Sequence, residues 1–208
     1  HCVTGVQTCA LPICALMQRG GAQAGETVLI HGATGGVGVA AVQFAKAAGL
    51  RVLATGGSEA GRKLLAAIGA DAVFDHTAPG YEDAIRSATD GRGVNLILEM
   101  LANVNLARDL TLLARNGRVI VVGSRGSIEI NPREAMLRDA DIRGVMLANT
   151  PTPELAECHA AISRHLASGQ LSPVVGVSFP LADAAGAHRT VMAPGHTGKV
   201  VLRTGSAA

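Results

Sequence analysis

The chain has 208 residues, of which 48% are hydrophobic and 16% are charged, and its formal net charge is +2. This composition excludes an intrinsically disordered chain and suits one compact domain. Three Phe, one Tyr and no Trp offer no stacking platform for single-stranded nucleic acid, and the evenly scattered charges form no basic patch. No apolar run reaches the roughly 18 residues of a membrane span, so we expect a cytoplasmic protein.

The first fourteen residues differ from the rest of the chain. Residues 3–13 look like the translation of a sequencing adapter, and they show neither a basic leader region nor a periodic pattern. A genuine apolar leader is the alternative. We expect residues 1–14 to be an artefact without a fold. Cys2, Cys9 and Cys14 lie in this segment, and with Cys158 they form no CxxC pair, so we expect neither a disulfide scaffold nor a metal site.

A strand, a glycine-rich turn and a helix are predicted over residues 27–49. Gly35 allows the backbone to come close to a phosphate, and Gly38 allows the helix to pack closely on the sheet. The amides of the first helical turn and the helix dipole face the anion. Because Ala33 stands where a GxGxxG motif has its first glycine, a tight turn without a ligand is the alternative.

Two related motif classes are excluded by spacing. A Walker loop needs a lysine after its last glycine, but Gly38 is followed by Val39 and Ala40. A short-chain dehydrogenase needs a lysine four residues after its tyrosine, but Ile85 stands four residues after Tyr81, which is the single tyrosine of the sequence.

The remaining elements alternate between strands and helices, which is typical of a parallel sheet covered by helices on both faces. We predict a Rossmann-type α/β fold with a doubly wound, six-stranded parallel sheet, whose ligand loops share one edge. Asn103 is a candidate N-cap and Gly169 a candidate helix stop. After the strand at 27–30, the predicted strands are 51–55, 72–75, 94–99, 118–122 and 142–147, and the predicted helices are 60–68, 81–89, 104–113 and 153–168.

The pattern changes after Gly169. Residues 172–181 and 199–203 resemble strands, with a small Ala-rich helix at 182–192 between them. Because six strands already complete the sheet, we expect this tail to pair with another domain and to expose an apolar edge without it.

Four segments resemble the zinc-free quinone oxidoreductases of the medium-chain dehydrogenase superfamily, the zeta-crystallin family. They are GETVLIHGATGGVG at 25–38, EMLANVNL at 99–106, GRVIVVGSRGSIEINPR at 117–133 and TGKVVL at 197–202. The resemblance implies that a GroES-like catalytic lobe precedes residue 15 in family members and supplies the other wall of the active site. We therefore expect a dinucleotide-binding domain at 15–172, a tail of the catalytic lobe at 173–208, and a truncated protein that is inactive alone.

The resemblance also implies a set of NADPH contacts, whereas the catalytic residues stay unknown. Alternatives for individual residues are a solvated loop histidine for His76, a helix-stabilising role for Asn105 and an ordinary surface cation for Arg125. His31, just before the turn, fits a packed structural histidine better than an acid catalyst. The implied contacts are Thr34, Gly35, Gly36 and Val37 at the pyrophosphate, Gly57 after the second strand, His76 after the third, Asn105 after the fourth, Val122, Gly123, Ser124 and Arg125 at the fifth, and Val145, Met146 and Leu147 on the sixth.

The end of the second predicted strand favours NADPH over NADH. An acidic residue there binds the ribose hydroxyl of NADH, but residues 53–58 contain none. A hydroxyl and two cations lie nearby in the sequence, at Ser58, Arg62 and Lys63. Solvated helix charges are the alternative for Arg62 and Lys63. The acidic Glu59 at the helix start argues against NADPH.

The resemblance implies an NADPH-dependent quinone reductase that acts on a small-molecule quinone and forms a homo-oligomer when full length. A reductase of enoyl or other activated alkenes on the same scaffold is an alternative. A non-enzymatic nucleotide-binding or RNA-binding module is a third possibility, against which the low aromatic content and the small net charge argue. Neither a membrane nor RNA is an expected partner.

Overall fold

A six-stranded parallel sheet forms the centre of the protein. The computed structural model describes residues 10–193, 195 and 197–204. The strand order is β3-β2-β1-β4-β5-β6, which confirms the predicted Rossmann-type α/β fold. The strands are β1 Thr27–Ile30, β2 Arg51–Thr55, β3 Ala72–Phe74, β4 Val94–Glu99, β5 Leu113–Val121 and β6 Asp141–Gly144, and the helices are α1 Gly36–Ala47, α2 Glu59–Ala67, α3 Tyr81–Ala88, α4 Ala102–Leu112, α5 Pro132–Met136 and α6 Thr152–Ala167.

Successive side chains of the central strands enter two different cores. Val28 and Ile30 of β1 pack on one face of the sheet, where α1 and α6 lie, whereas Leu29 packs on the other face with α3 and α4. All three side chains are fully buried. Because alternate residues of a strand point to opposite faces, continuously apolar strands are what a sheet covered on both sides requires.

Several element boundaries differ from the predicted ones. β5 begins at Leu113 instead of residue 118, because Leu113 pairs with Val94 before a register shift. The short helix α5 was not predicted, although Asn131 caps it and a proline occupies its first turn. Asn103 is not the N-cap of α4, which begins after Leu101. Gly169 does follow the end of α6, with a φ of 73°.

The described part of the N-terminal segment is helical. Residues 10–19 form a helix whose last turns, Cys14–Arg19, are π-helical. Ala10, Ile13 and Cys14 are buried in the core that contains α1 and α6. The expected lack of a fold is therefore corrected for residues 10–14, because their small apolar side chains fill this core. Residues 1–9 lie outside the described part, and the adapter origin of the segment stays a prediction.

The tail forms a second, smaller layer. β7 Val175–Pro180 and β8 Lys199–Arg203 pair in parallel with each other and do not join the large sheet, and α7 Ala184–Met192 connects them. Its assignment to a catalytic lobe stays a prediction. Among the described residues, no helix combines the length and the apolar character that crossing a membrane requires.

Arg118 joins the start of the sheet to the segment before β1. Its guanidinium donates to both carboxylate oxygens of Glu26, at 2.8 and 2.7 Å. It also donates to the carbonyls of Gly20, Gly21 and Asn95. Arg118 is 9% exposed, so these contacts replace almost all of its hydration. The hydrogen bond from Arg118 lowers the pKa of Glu26, against the opposing effect of burial.

We predict that Glu26→Gln lowers the free energy of unfolding at neutral pH by about 2 kcal/mol, because Arg118 loses its ionic partner. A carboxylate with a depressed pKa stabilises the fold above its unfolded pKa, and this stabilisation disappears as the pH falls through its folded pKa. The difference between the two proteins should therefore shrink in acid. Urea titration at several pH values measures it, and Glu59→Gln, which removes an exposed ion pair, is the control. An equal loss at all pH values would contradict the prediction.

Candidate functional site

The glycine-rich turn lies at the carboxyl end of β1, where the strand order reverses between β1 and β4. Ligands of open α/β sheets bind at such a switch point. Gly35 is the N-cap of α1 and makes no side-chain cap, so the amides of the first helical turn have no side-chain acceptor there. A Cβ atom added to Gly35 would have no atom within 4 Å, which leaves open space in front of the helix end.

Gly38 serves a different purpose from Gly35. A Cβ atom at Gly38 would lie 2.4 Å from the Cα atom of Ala33. The first turn of α1 therefore packs directly on the backbone of the preceding turn, and a side chain at residue 38 would force them apart. The sequence predicted that Gly38 allows α1 to pack closely on the sheet. In the structure, the close contact of Gly38 is with Ala33 in the turn before the helix.

The beginning of β8 closes over the same turn. The amide of Gly198 donates to the carbonyl of Thr34 at 2.8 Å, and Gly35 and Gly198 form a parallel bridge. The aliphatic part of Lys199 crosses Gly36, where an added Cβ atom would lie 2.5 Å from Cδ. The tail thus forms one side of the space at the N-terminus of α1.

The end of β2 lies beside the turn. An added Cβ atom at Gly56 would lie 2.9 Å from Cγ2 of Thr34, and one at Gly57 would lie 3.1 Å from Nε2 of His76. The structure therefore brings Thr34, Gly57 and His76 together, as the predicted site requires. His76 is exposed.

The cations proposed for a 2′-phosphate already have partners. Arg62 Nη1 lies 2.7 Å from Asp75 Oδ2 and donates to the carbonyl of Gly56 at 3.2 Å, whereas Lys63 pairs with Glu59. Ser58 caps α2 by accepting a hydrogen bond from the amide of Gly61. Arg62 is thus held at the end of β2, while Lys63 extends along the exposed face of α2.

The loops after β4 and β5 interlock. The amides of Val122 and Gly123 donate to the carbonyl of Glu99, at 2.9 and 3.2 Å. A Cβ atom at Gly123 would lie 2.5 Å from the carbonyl oxygen of Met100, so only glycine fits there. The amide of Arg125 donates to the side chain of Asn103, and both Ser124 and Arg125 are exposed at this edge.

Three predicted positions need correction, and a fourth lies on the helix where it was expected. Val145, Met146 and Leu147 follow β6 instead of lying on it, because the chain turns into a 3-10 helix at Leu147–Asn149. Val145 is buried and its amide still donates to Val121, whereas Met146 is 65% exposed. Asn105 lies on α4, and its side-chain amide donates to Glu99 Oε1 at 3.2 Å.

Sequence reasoning missed two buried carboxylates beneath the turn. Nε2 of His31 lies 3.0 Å from Asp109 Oδ1 and 3.9 Å from Glu99 Oε2. The side chains of Glu99 and Asp109 are fully buried, and His31 is 3% exposed. The sequence held two signals for these residues. Glu99 is a charged residue at the end of an apolar strand, and Asp109 is a charged residue on an apolar helix face.

Burial and the neighbouring charge of Asp109 raise the pKa of Glu99 to about 7. Burial alone lowers the pKa of His31, but the close contact with Asp109 and the charges of both carboxylates outweigh this effect, so the pKa of His31 is raised. The cluster therefore retains protons near neutral pH.

Comparison with known proteins places these features in a family. Residues 36–164 match the family model described as zinc-binding dehydrogenase. A quinone oxidoreductase from Homo sapiens is 47% identical over 189 residues, which cover 90% of this chain and 57% of that protein. The chain thus spans a little over half the length of this curated relative.

Solved structures agree on the fold. A quinone oxidoreductase from Thermus thermophilus, described also in complex with NADPH, has a TM-score of 0.84 and 32% identity, and the match covers 94% of this chain and 63% of that one. An NAD-dependent alcohol dehydrogenase has a TM-score of 0.88 and 30% identity, with coverage of 95% and 57%.

We predict that Gly38→Ala lowers the free energy of unfolding by about 2 kcal/mol, because its methyl group meets the backbone of Ala33. Gly35→Ala should change it by less than about 0.5 kcal/mol, since Gly35 has a φ of −76° and open space around it. Chemical denaturation compares the two variants. Equal losses would mean that the two glycines serve the turn in the same way.

Proposed function

Because the chain belongs to the zinc-binding dehydrogenase family, we propose that it is the cofactor-binding portion of an NADPH-dependent quinone oxidoreductase that reduces a small-molecule quinone. The observation that carries this proposal is the N-terminus of α1 at the switch point of the sheet, which has no side-chain cap and has open space at Gly35. The 47% identity to a quinone oxidoreductase supports the choice of reaction among those the fold serves.

The residues at the turn fit a dinucleotide. The amides of Gly36 and Val37 belong to the first turn of α1, whose N–H groups have no intrahelical acceptor, and the helix dipole favours an anion there. The absence of a side chain at Gly35 leaves room for the pyrophosphate. In the proposed site, Thr34, Gly35, Gly36 and Val37 hold this group, and Gly57 and His76 lie toward the adenosine end.

The other proposed contacts lie along the same edge of the sheet. Asn105 on α4, the loop at 122–125 and residues 145–147 after β6 extend from the turn toward the opposite end of the cofactor. NADPH, when bound, supplies the reducing equivalent as hydride. The described side chains bind and orient the cofactor and exclude water from one side of it, and no catalytic acid or base is assigned to them.

NADPH is proposed over NADH because no acidic residue follows β2 within residues 53–58. Arg62 supports this choice, since its guanidinium is held beside the carbonyl of Gly56 at the end of that strand. Asp75 offsets part of its charge, so we expect the preference to be moderate.

We further propose that residues 15–172 are the dinucleotide-binding domain and that the tail from residue 173 belongs with a catalytic lobe. The separate sheet of β7 and β8 supports this division. A homo-oligomer and a cytoplasmic location are part of the same proposal. The edge strand β6 is exposed over all four residues, which offers an edge for pairing with a second copy.

The first test is calorimetric titration of the chain with NADPH and NADH. We expect NADPH to bind about 10-fold more tightly, because one charge-assisted contact to the 2′-phosphate is worth that ratio. Arg62→Gln should reduce the preference several-fold, whereas the matched variant Arg115→Gln, which removes an exposed cation paired with Asp139, should preserve it.

Gly35→Val completes this test, because its branched side chain fills the space in front of α1 and should abolish binding of both nucleotides without unfolding the protein. Equal affinities for NADPH and NADH in the unaltered protein would reject the cofactor assignment. Retained binding by Gly35→Val would show that this glycine serves the turn alone.

The second test concerns turnover. We expect the 208-residue chain to bind NADPH without oxidising it in the presence of a soluble quinone, because one wall of a cleft leaves the quinone unpositioned. A longer protein with a GroES-like lobe before residue 15 should be active. The assay follows NADPH absorbance at roughly 340 nm. Equal rates for the two proteins would contradict the division into two lobes, and activity with an activated alkene but no quinone would favour the alternative reductase.

A further inference from the structure

A buried cluster of three titratable side chains lies beneath the glycine-rich turn of the proposed cofactor site. It consists of His31, Glu99 and Asp109. His31 follows β1 and precedes the glycine-rich turn, Glu99 ends β4, and Asp109 projects from α4. The imidazole Nε2 is 3.0 Å from Asp109 Oδ1 and 3.9 Å from Glu99 Oε2. These three side chains therefore lie under the switch point of the sheet, shielded from solvent.

The cluster is short of hydrogen-bond donors. Glu99 Oε1 accepts from the amide of Leu101 and from the side chain of Asn105. Within the described residues, Glu99 Oε2 and Asp109 Oδ2 have no hydrogen-bond donor. Two buried carboxylates that share one imidazole cannot both remain charged without a large desolvation cost, so a proton is retained among them.

Hydrogen bonds connect the cluster to three parts of the proposed site. Nδ1 of His31 lies 3.4 Å from the hydroxyl of Thr55 at the end of β2, and that hydroxyl accepts from the amide of Gly32 in the turn. On the other side, Glu99 holds Asn105, a proposed cofactor contact. A change of charge in the cluster therefore acts on the turn, on β2 and on α4 at the same time.

We propose that Glu99 is a positioning residue for Asn105, and that the cluster couples binding of the nucleotide to uptake of a proton. The proposal rests on the nucleotide-binding function proposed above. Phosphates at the turn place negative charge near the cluster, which favours its protonated form. By linkage, an ionised Glu99 weakens nucleotide binding to the same extent, so the affinity falls as the pH rises through neutrality.

Other titratable groups also face the cluster. Arg108 on α4 and His76 after β3 interact electrostatically with His31, and Tyr81 on α3 interacts with Asp109. Arg108 stays protonated and Tyr81 stays neutral near pH 7. Partial burial lowers the pKa of His76 below its usual value, and the 2′-phosphate of NADPH titrates at about pH 6. The test must therefore separate Glu99 from these two groups.

The test is calorimetric titration with NADH, which lacks the 2′-phosphate, and with NADPH, between about pH 6 and pH 8 in buffers of different ionisation enthalpy. For the unaltered chain we expect uptake of about half a proton at pH 7 and an affinity about 5-fold lower at the upper pH, with both nucleotides.

Two substitutions of Glu99 separate its roles. Glu99→Gln keeps an oxygen acceptor for Leu101 and Asn105 but cannot ionise, so binding should persist and become independent of pH. Glu99→Ala removes the acceptor, so binding should weaken at every pH. Asp109→Asn should shift the pH dependence toward acid, because one negative charge no longer opposes ionisation of Glu99. Thermal unfolding checks that each variant is folded.

The outcomes distinguish this inference from the proposed function. Nucleotide binding without proton uptake, or an unchanged pH dependence in folded Glu99→Gln, would overturn the coupling and leave the nucleotide site standing. No binding of either nucleotide at any pH would overturn both. If Glu99→Gln does not fold, an unchanged pH dependence in Asp109→Asn would overturn the proposal.

Discussion

The approach of α1 to the turn before it is the constraint on which the site depends. At Gly38 the helix comes so close to Ala33 that no side chain fits between them. This contact sets the direction in which α1 leaves β1, and the helix covers one face of the sheet from there. The same direction places the first-turn amides at the edge where β1 and β4 diverge. The packing of α1 and the position of the proposed phosphate site thus depend on one backbone contact.

Much of the fold could be predicted because its signals are local. The central strands are largely apolar, and glycines or short polar segments follow them, so β1, β2 and β4 have their predicted bounds. β5 and β6 differ because their ends depend on pairing. Leu113 extends β5 because it pairs with Val94 of β4 across a register shift. The local sequence around Leu113 does not predict this pairing.

The candidate site was predictable in part for a similar reason. Thr34, Gly57 and His76 follow successive strands, so sheet topology alone brings them together. Glu99 and Asp109 could not be paired with His31 in this way. Their contact depends on which face of α4 turns inward, and α4 also begins two residues before its predicted start, at Ala102. The resemblance to the family predicted Asn105 as a cofactor contact. It did not predict that the carboxylate of Glu99 accepts a hydrogen bond from the Asn105 side chain.

The contact between Gly198 and the turn has a consequence for how the protein is made. The hydrogen bond from Gly198 to Thr34 joins residues 164 positions apart in the sequence. During synthesis, β1, the turn and α1 emerge well before β8, the strand that closes over them. The glycine-rich turn is therefore made before its final neighbour, and contacts between residues so far apart in the sequence form slowly. A nascent chain can build the sheet before it can complete the site.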